Sequence, residues 1–362
     1  MKLKKLFAGV VAAAMIATMS FPAFADGDKI TVESDNTFKI KKTYSVSENA
    51  VAPNEDFTFT VVKDSVSNSS ITDEQFKEAG KYEVTVKSTA NHTSTGTTDF
   101  VMQLPEYDKP GTFVYKLTED DNAVAGVTYD DATYYLTVYA FQKAGSTSAG
   151  NDIECKVRLD KGGVKRAGED GHKVDAINNS YTAAPLSVSK TVTGNMGDKS
   201  KYFDFTVTFK APTGKKVKST ITVSGVGEAN EVKVDNVALT GDKTITFGEN
   251  ETSKTVTFKL KNGETINFTN LPKELTYTVE EANYSSDGYK TYIGSDTDTE
   301  KRSTGDLTVN SGDAISVAYT NQNGETILDT GVILDNAPYI LMLAVVAGAA
   351  MTLVIKKRRE EE

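Results

Sequence analysis

The chain has 362 residues with 40 Lys+Arg against 50 Asp+Glu, an acidic balance that excludes a nucleic-acid partner, since phosphate binding needs a basic face. One Cys and two widely separated His exclude a disulfide framework and a multi-ligand zinc site, and no cofactor or metal is expected. Abundant Thr and Val, with Gly at 27 residues and Pro at 8, lean towards strands joined by turns, in a length that suits two folded domains.

Residues 1–25 have the layout of a secretory signal peptide. Lys2, Lys4 and Lys5 form a basic start, Leu6 to Met19 is apolar, and Ala23-Phe24-Ala25 is a small-x-small cleavage site that would leave Asp26 first. The body then alternates with a period of two: Phe57, Phe59 and Val61; Tyr115 and Leu117; Tyr134, Leu136 and Val138; Phe203, Phe205 and Val207; Ile315, Val317 and Tyr319. Period-two apolarity punctuated by turns predicts an all-β fold of two sandwich domains.

The two halves repeat one another in the same order. Phe38-Lys39-Ile40-Lys41-Lys42 returns as Leu186-Ser187-Val188-Ser189-Lys190, Tyr115 to Glu119 as Tyr277 to Glu281, and Ile177-Asn178-Asn179 as Tyr319-Thr320-Asn321. The copies meet near Ala183-Ala184-Pro185, so the domains are expected at 26–184 and 185–326. Side chains two apart on a strand share a face. By that rule Lys42 lies with Phe38 and Ile40, Lys190 with Leu186, Val188 and Val192, Glu119 with Tyr115 and Leu117, and Glu281 with Tyr277 and Val279. Asn179 lies with Ile177 and Tyr181, and Asn321 with Val317 and Tyr319. Lys41, Asn178 and Glu280 are out of phase; Asn323 is in phase.

Each half thus places one Lys, one Glu and one Asn on an apolar face, where a charge costs several kcal/mol unless satisfied. Desolvation makes a Lys amine neutral and nucleophilic and a Glu protonated. A protonated Glu could then polarise the Asn carbonyl and shuttle protons while the amine displaces ammonia, giving an intramolecular Lys–Asn amide.

The C-terminal end carries a second address. Ile327-Leu328-Asp329-Thr330-Gly331 precedes an apolar run, residues 337–355, long enough to cross a bilayer as a helix, and then Lys356, Lys357, Arg358 and Arg359. This three-part arrangement at 327–362 resembles the sorting signal of Gram-positive sortase substrates, with Leu328 in the slot where that motif has Pro. The resemblance implies cleavage between Thr330 and Gly331 and transfer of the Thr330 carbonyl to an amine.

The whole pattern, including Tyr-x-Leu/Val-x-Glu, Asn267 to Pro272 and the last-strand Tyr-Thr-Asn, resembles the two-domain major (shaft) pilins of streptococcal type. That resemblance implies tandem immunoglobulin-like β-sandwich domains, flanked by the signal peptide and a transmembrane sorting helix. It implies that Lys42 bonds Asn179 with Glu119 assisting, and that Lys190 bonds Asn321 with Glu281 assisting. It further implies a pilin-specific (class C type) sortase, neighbouring copies in a fibre, minor pilins, peptidoglycan and a host surface as partners, and a cell-wall-anchored extracellular location. The acceptor lysine of the next subunit would be Lys173, with Lys161 and Lys165 as competitors. A singly displayed wall-anchored adhesin or a minor pilin is the competing expectation; an enzyme acting on an external substrate is not expected. Cys155, in phase with Val157 and Leu159, is expected in the core, with a Cys155/His172 pair unsupported by its surroundings. The carboxylates of Asp120 to Asp131 are a weak calcium candidate, off the EF-hand spacing.

Overall fold

A computed structural model describes residues 30–66, 84–87, 96–144, 152–162, 173–225, 231–241 and 243–325. The signal peptide, the sorting motif with its apolar span, Lys165, His92 and His172 lie outside these residues. Among the described residues no helix is long and apolar enough to cross a membrane.

The first half contributes β1 (Thr37–Val46), β2 (Asp56–Val66), β3 (Val84–Lys87), β4 (Gly96–Gln103), β5 (Gly111–Glu119), β6 (Val127–Thr128), β7 (Tyr134–Gln142), β8 (Ile153–Lys161) and β9 (Ala176–Tyr181). The second contributes β10 (Ala183–Thr193), β11 (Phe203–Lys210), β12 (Ile221–Ser224), β13 (Lys233–Val234), β14 (Val237–Ala238), β15 (Thr244–Ile245), β16 (Ser253–Leu260), β17 (Thr265–Pro272), β18 (Thr276–Glu281), β19 (Tyr289–Ile293), β20 (Leu307–Thr308) and β21 (Ile315–Asn323). A single 3-10 turn, Ser285–Asp287, is the only helical element among the described residues. The fold is all-β.

Each half is a pair of sheets over one core. In the first, β4-β1-β9-β6 faces β3-β2-β5-β7-β8; in the second, β15-β12-β17-β10-β21-β19 faces β14-β13-β16-β11-β18-β20. The alternating apolar positions supply the filling: Phe38, Ile40, Phe57, Phe59, Tyr115, Leu117 and Ile177 in the first core, Leu186, Val188, Phe203, Phe205, Val279 and Tyr319 in the second. Alternating faces turned towards a shared interior are what a two-layer antiparallel sandwich requires.

The first and last strands of each half lie side by side and parallel, β1 on β9 and β10 on β21. A parallel pair cannot be closed by a tight turn, so the rest of the domain forms the connection. Ala183 packs into the first core and its neighbour Ala184 into the second. Pro185 follows at a bulge in the β10–β17 ladder, a position where its missing N–H breaks no regular pairing.

The halves are bonded to each other beyond this peptide link. Ala125 N donates to Lys216 O at 2.9 Å, Lys216 N donates to Ala123 O at 2.8 Å, and the Ala125 side chain sits in the second core. Asn270 accepts Val51 N–H at 2.9 Å and donates to Val51 O at 2.9 Å and Thr220 O at 3.0 Å. Asn tolerates the left-handed φ of 67° that this geometry needs. Lys218 pairs at 2.9 Å with the fully buried Glu55 carboxylate. Gly126 (φ +81°) passes so close to Tyr181 and Pro272 that an added Cβ would lie 2.7 and 2.9 Å from them.

Candidate functional site: two buried Lys–Glu–Asn triads

Lys42 projects inward from β1 and Asn179 from β9. Their ladder pairs Lys42 with Ile177 and Tyr44 with Asn179, so the two side chains are diagonal neighbours on one face. Glu119 reaches them from the end of β5 in the opposite sheet, where its ladder partner is Phe59. Lys42 Nζ donates to Glu119 Oε2 at 2.6 Å, and Asn179 Nδ2 donates to Glu119 Oε1 at 2.5 Å. The Lys42 and Glu119 side chains are 1% and 0% exposed. The rings of Phe57 and Phe59 stand 4.7 and 5.3 Å from the ammonium, replacing water with aromatic surface.

The second half builds the same site from corresponding strands. Lys190 pairs with Tyr319 and Val192 with Asn321 along β10 and β21, and Glu281 on β18 opposes Phe205. Lys190 Nζ donates to Glu281 Oε2 at 2.6 Å, and Asn321 Nδ2 donates to Glu281 Oε1. The Phe203 and Phe205 rings lie 4.2 and 5.6 Å from the Lys190 nitrogen. Lys190 and Glu281 side chains are both fully buried.

Burial dominates the electrostatics. It pushes both Lys42 and Lys190 down to about 8, against the opposing pull of their carboxylate partners. The same desolvation raises Glu119 and Glu281 above the ordinary carboxylate range, with the lysines acting in opposition. Desolvation thus lowers the cost of moving the proton from Lys to Glu, which leaves a neutral amine beside a neutral acid.

The six side chains assigned to the triads therefore meet in two threes. The out-of-phase Lys41, Asn178 and Glu280 are exposed. Asn323 is buried but donates to Asp287 O at 3.0 Å, away from Glu281. One detail differs from expectation: the carboxylate meets the amide nitrogen of each Asn, not its carbonyl oxygen. At the first site that oxygen accepts the backbone N–H of Asp130 at 3.0 Å; at the second, Asn321 Oδ1 is buried with no hydrogen-bond partner.

The sequence does not place Asp130 at the first triad, or Glu55 and Asn270 at the joint between the halves. Glu55 and Asn270 obey the two-residue phase, with Phe57 and with Phe268, and could have been found that way; Asp130 follows a two-residue strand that sets no phase. Cys155 is buried, and burial raises its thiol to about 11, which removes it as a nucleophile at neutral pH. The calcium candidate falls away: Asp120 accepts the Thr60 hydroxyl, Asp121 caps Ala123 N, and Asp130 is bound to Tyr134 and Lys161. No group of three or more potential metal-binding side chains occurs among the described residues. Lys161 ends β8 and pairs with Asp130 at 3.0 Å, while Lys173, partly exposed, forms a backbone β-bridge with Asp160.

Residues 38–176 match the family described as Spy0128-like isopeptide containing domain, and residues 184–323 match a domain of unknown function, DUF7601. A pilin of Streptococcus pyogenes serotype M1 is 28% identical over 361 residues, spanning 94% of this chain and 96% of that one. The crystal structure of the major pilin from Streptococcus pyogenes superposes with a TM-score of 0.51 at 26% identity, covering 81% of this chain and 100% of that one. These likenesses, on top of the duplicated sandwich, make the chain similar to structural pilus subunits of the major-pilin type.

Proposed function

We propose that the chain is the shaft subunit of a sortase-assembled covalent pilus and that each half closes its own Lys–Asn isopeptide bond, Lys42 to Asn179 and Lys190 to Asn321. The observation that carries this is the carboxylate held between amine and amide in both halves, with one oxygen on each. In the neutral pair, Nζ attacks Cγ of the Asn. The attacking nitrogen gives one proton to the Glu, and the Glu gives one to Nδ2. The Nζ–Cγ bond forms, the Cγ–Nδ2 bond breaks, ammonia leaves, and the Glu ends protonated as it began. No external substrate or cofactor enters the balance. The product removes the buried charge pair and so relieves the desolvation cost that its formation exploits.

Assembly would use the sorting signal. A pilin-specific sortase would cleave after Thr330 and join its carbonyl to a lysine of the neighbouring copy, with Lys173 the first candidate and Lys161 and Lys165 behind it. The fibre would then stand outside the cell on the wall, with minor pilins and peptidoglycan as further partners. The test is replacement of Lys173, Lys161 and Lys165, singly and together, in cells that assemble the protein. Loss of the high-mass ladder with one of them identifies the acceptor. An intact ladder in the triple variant removes these lysines, and a ladder absent from the parent chain removes the shaft assignment.

A further inference from the structure

The two triads differ at one atom. At the first, Asn179 Oδ1 accepts the backbone N–H of Asp130, and Asn179 is only 2% exposed. At the second, Asn321 Oδ1 is enclosed and unpartnered. Resting on the isopeptide chemistry above, we propose that the Asp130 N–H is the oxyanion donor for the Lys42–Asn179 bond and that the first half therefore closes faster than the second.

The chemistry asks for a donor at this atom. When Nζ adds to Cγ, the amide carbon becomes tetrahedral and Oδ1 takes the negative charge. A fixed N–H in a water-free site stabilises that charge without reorganising, and the removal of one such donor in other acyl-transfer sites slows reaction by roughly 10²–10³. The same hydrogen bond sets the amide's orientation. With Oδ1 on Asp130, Nδ2 faces Glu119, so the leaving nitrogen meets the group that must protonate it.

The donor is held in place by its own residue. Asp130 Oδ1 accepts Ala132 N at 3.1 Å, Oδ2 accepts the Tyr134 hydroxyl at 2.6 Å, and Lys161 Nζ contacts both oxygens at 3.2 and 3.0 Å. This clamp follows directly on β6, which is laddered to β9 through Val127–Tyr181 and Thr128–Ser180. The loop therefore starts beside the strand that carries Asn179. In the second half the corresponding edge position is filled by the longer β19. Its Thr291 stands opposite Asn321, yet the amide oxygen accepts no hydrogen bond. The first half thus supplies a donor to its amide carbonyl, and the second supplies none.

The experiment uses residues 26–330, which contain both cores and every described strand, made in a cell-free reaction, quenched in acid at intervals and digested, with each cross-linked peptide quantified by mass spectrometry. In the parent chain the Lys42–Asn179 peptide is expected to accumulate at least tenfold faster than the Lys190–Asn321 peptide. Asp130→Pro, which deletes the N–H, should slow the first bond by roughly 10²–10³ and leave the second unchanged. Asp130→Ala, which keeps the N–H and loses the clamp, should slow it by less than tenfold. Equal rates in the parent, or a faster second bond, overturn the proposal; that comparison also decides the matter if Asp130→Pro does not fold. A folded Asp130→Pro chain with an undiminished first bond overturns it too, as does an Asp130→Ala chain as slow as the proline variant. Absence of both bonds at all times sinks the isopeptide chemistry itself, whereas a second bond forming without the first sinks this inference alone.

Discussion

Lys42 and Lys190 are amines kept from water by two phenylalanine rings apiece and tied to a carboxylate that is equally dry. Such a pair shares one removable proton, and the reactive form needs that proton on the Glu. Below the raised Glu pKa both groups are protonated and the nucleophile is lost. Above the lowered Lys pKa, about 8, the shared proton is gone and nothing protonates the leaving nitrogen. Bond formation is therefore expected to follow a bell-shaped pH profile whose alkaline limb falls near 8, measured as the rate of ammonia loss in freshly synthesised protein. A rate rising steadily to pH 10 would show that free amine alone is limiting. Glu119→Ala and Glu281→Ala should each abolish one bond and leave the other. At this scale the sequence was informative because strand phase is a strict rule: it selected Lys42 over Lys41, Asn179 over Asn178 and Glu281 over Glu280. It said nothing of Asp130, whose role belongs to a backbone N–H that any residue but proline carries.

Among elements, the parallel pairs β1–β9 and β10–β21 decide what a cross-link can do. Each bond ties the first strand of a half to its last and closes a loop of about 130 residues, credited with ~4–5 kcal/mol by the chain-entropy model used for disulfides. Asn321→Ala is expected to lower the melting temperature of the second half by roughly 10–20 °C in calorimetry, with the first half little changed. A shift of a degree or two would mean that the loop was never closed. Thiols cannot reduce an amide, which fits a protein with a single buried cysteine. The longer strands were legible from their alternation, since both cores are filled by those same residues. Two-residue strands such as β6, β13 and β20 have no period to detect, and the lateral order of strands within a sheet leaves no local trace in sequence at all.

For the whole molecule, the joint between halves matters as much as the halves. Asn270 stitches Val51 to Thr220, Lys218 reaches the buried Glu55, and Ala125 enters the neighbouring core. Asn270→Gly keeps the left-handed backbone and loses the side-chain bonds. It should cost ~2–4 kcal/mol, because buried backbone groups are left unpaired, and lower the melting temperature in calorimetry. Unchanged unfolding would show that the halves are coupled by the peptide link alone. Under load the account makes a mechanical statement. Pulled from its ends, the cross-linked chain should not yield its domains, whereas Asn321→Ala should release a step of up to ~450 Å, the contour length of the freed loop. The tandem repeat was visible in the order of matching segments, but the joint was not, since Asn270 finds Val51, and Glu55 finds Lys218, more than a hundred residues away.

The central claim is that the triads react, and the intact mass of denatured residues 26–330 tests it most directly. Two closed bonds predict a mass below the sequence value by two ammonia molecules, and by one in either Glu119→Ala or Glu281→Ala. A mass equal to the sequence value would contradict the account, leaving two buried ion pairs in a pilin-like sandwich with no covalent tie between first strand and last.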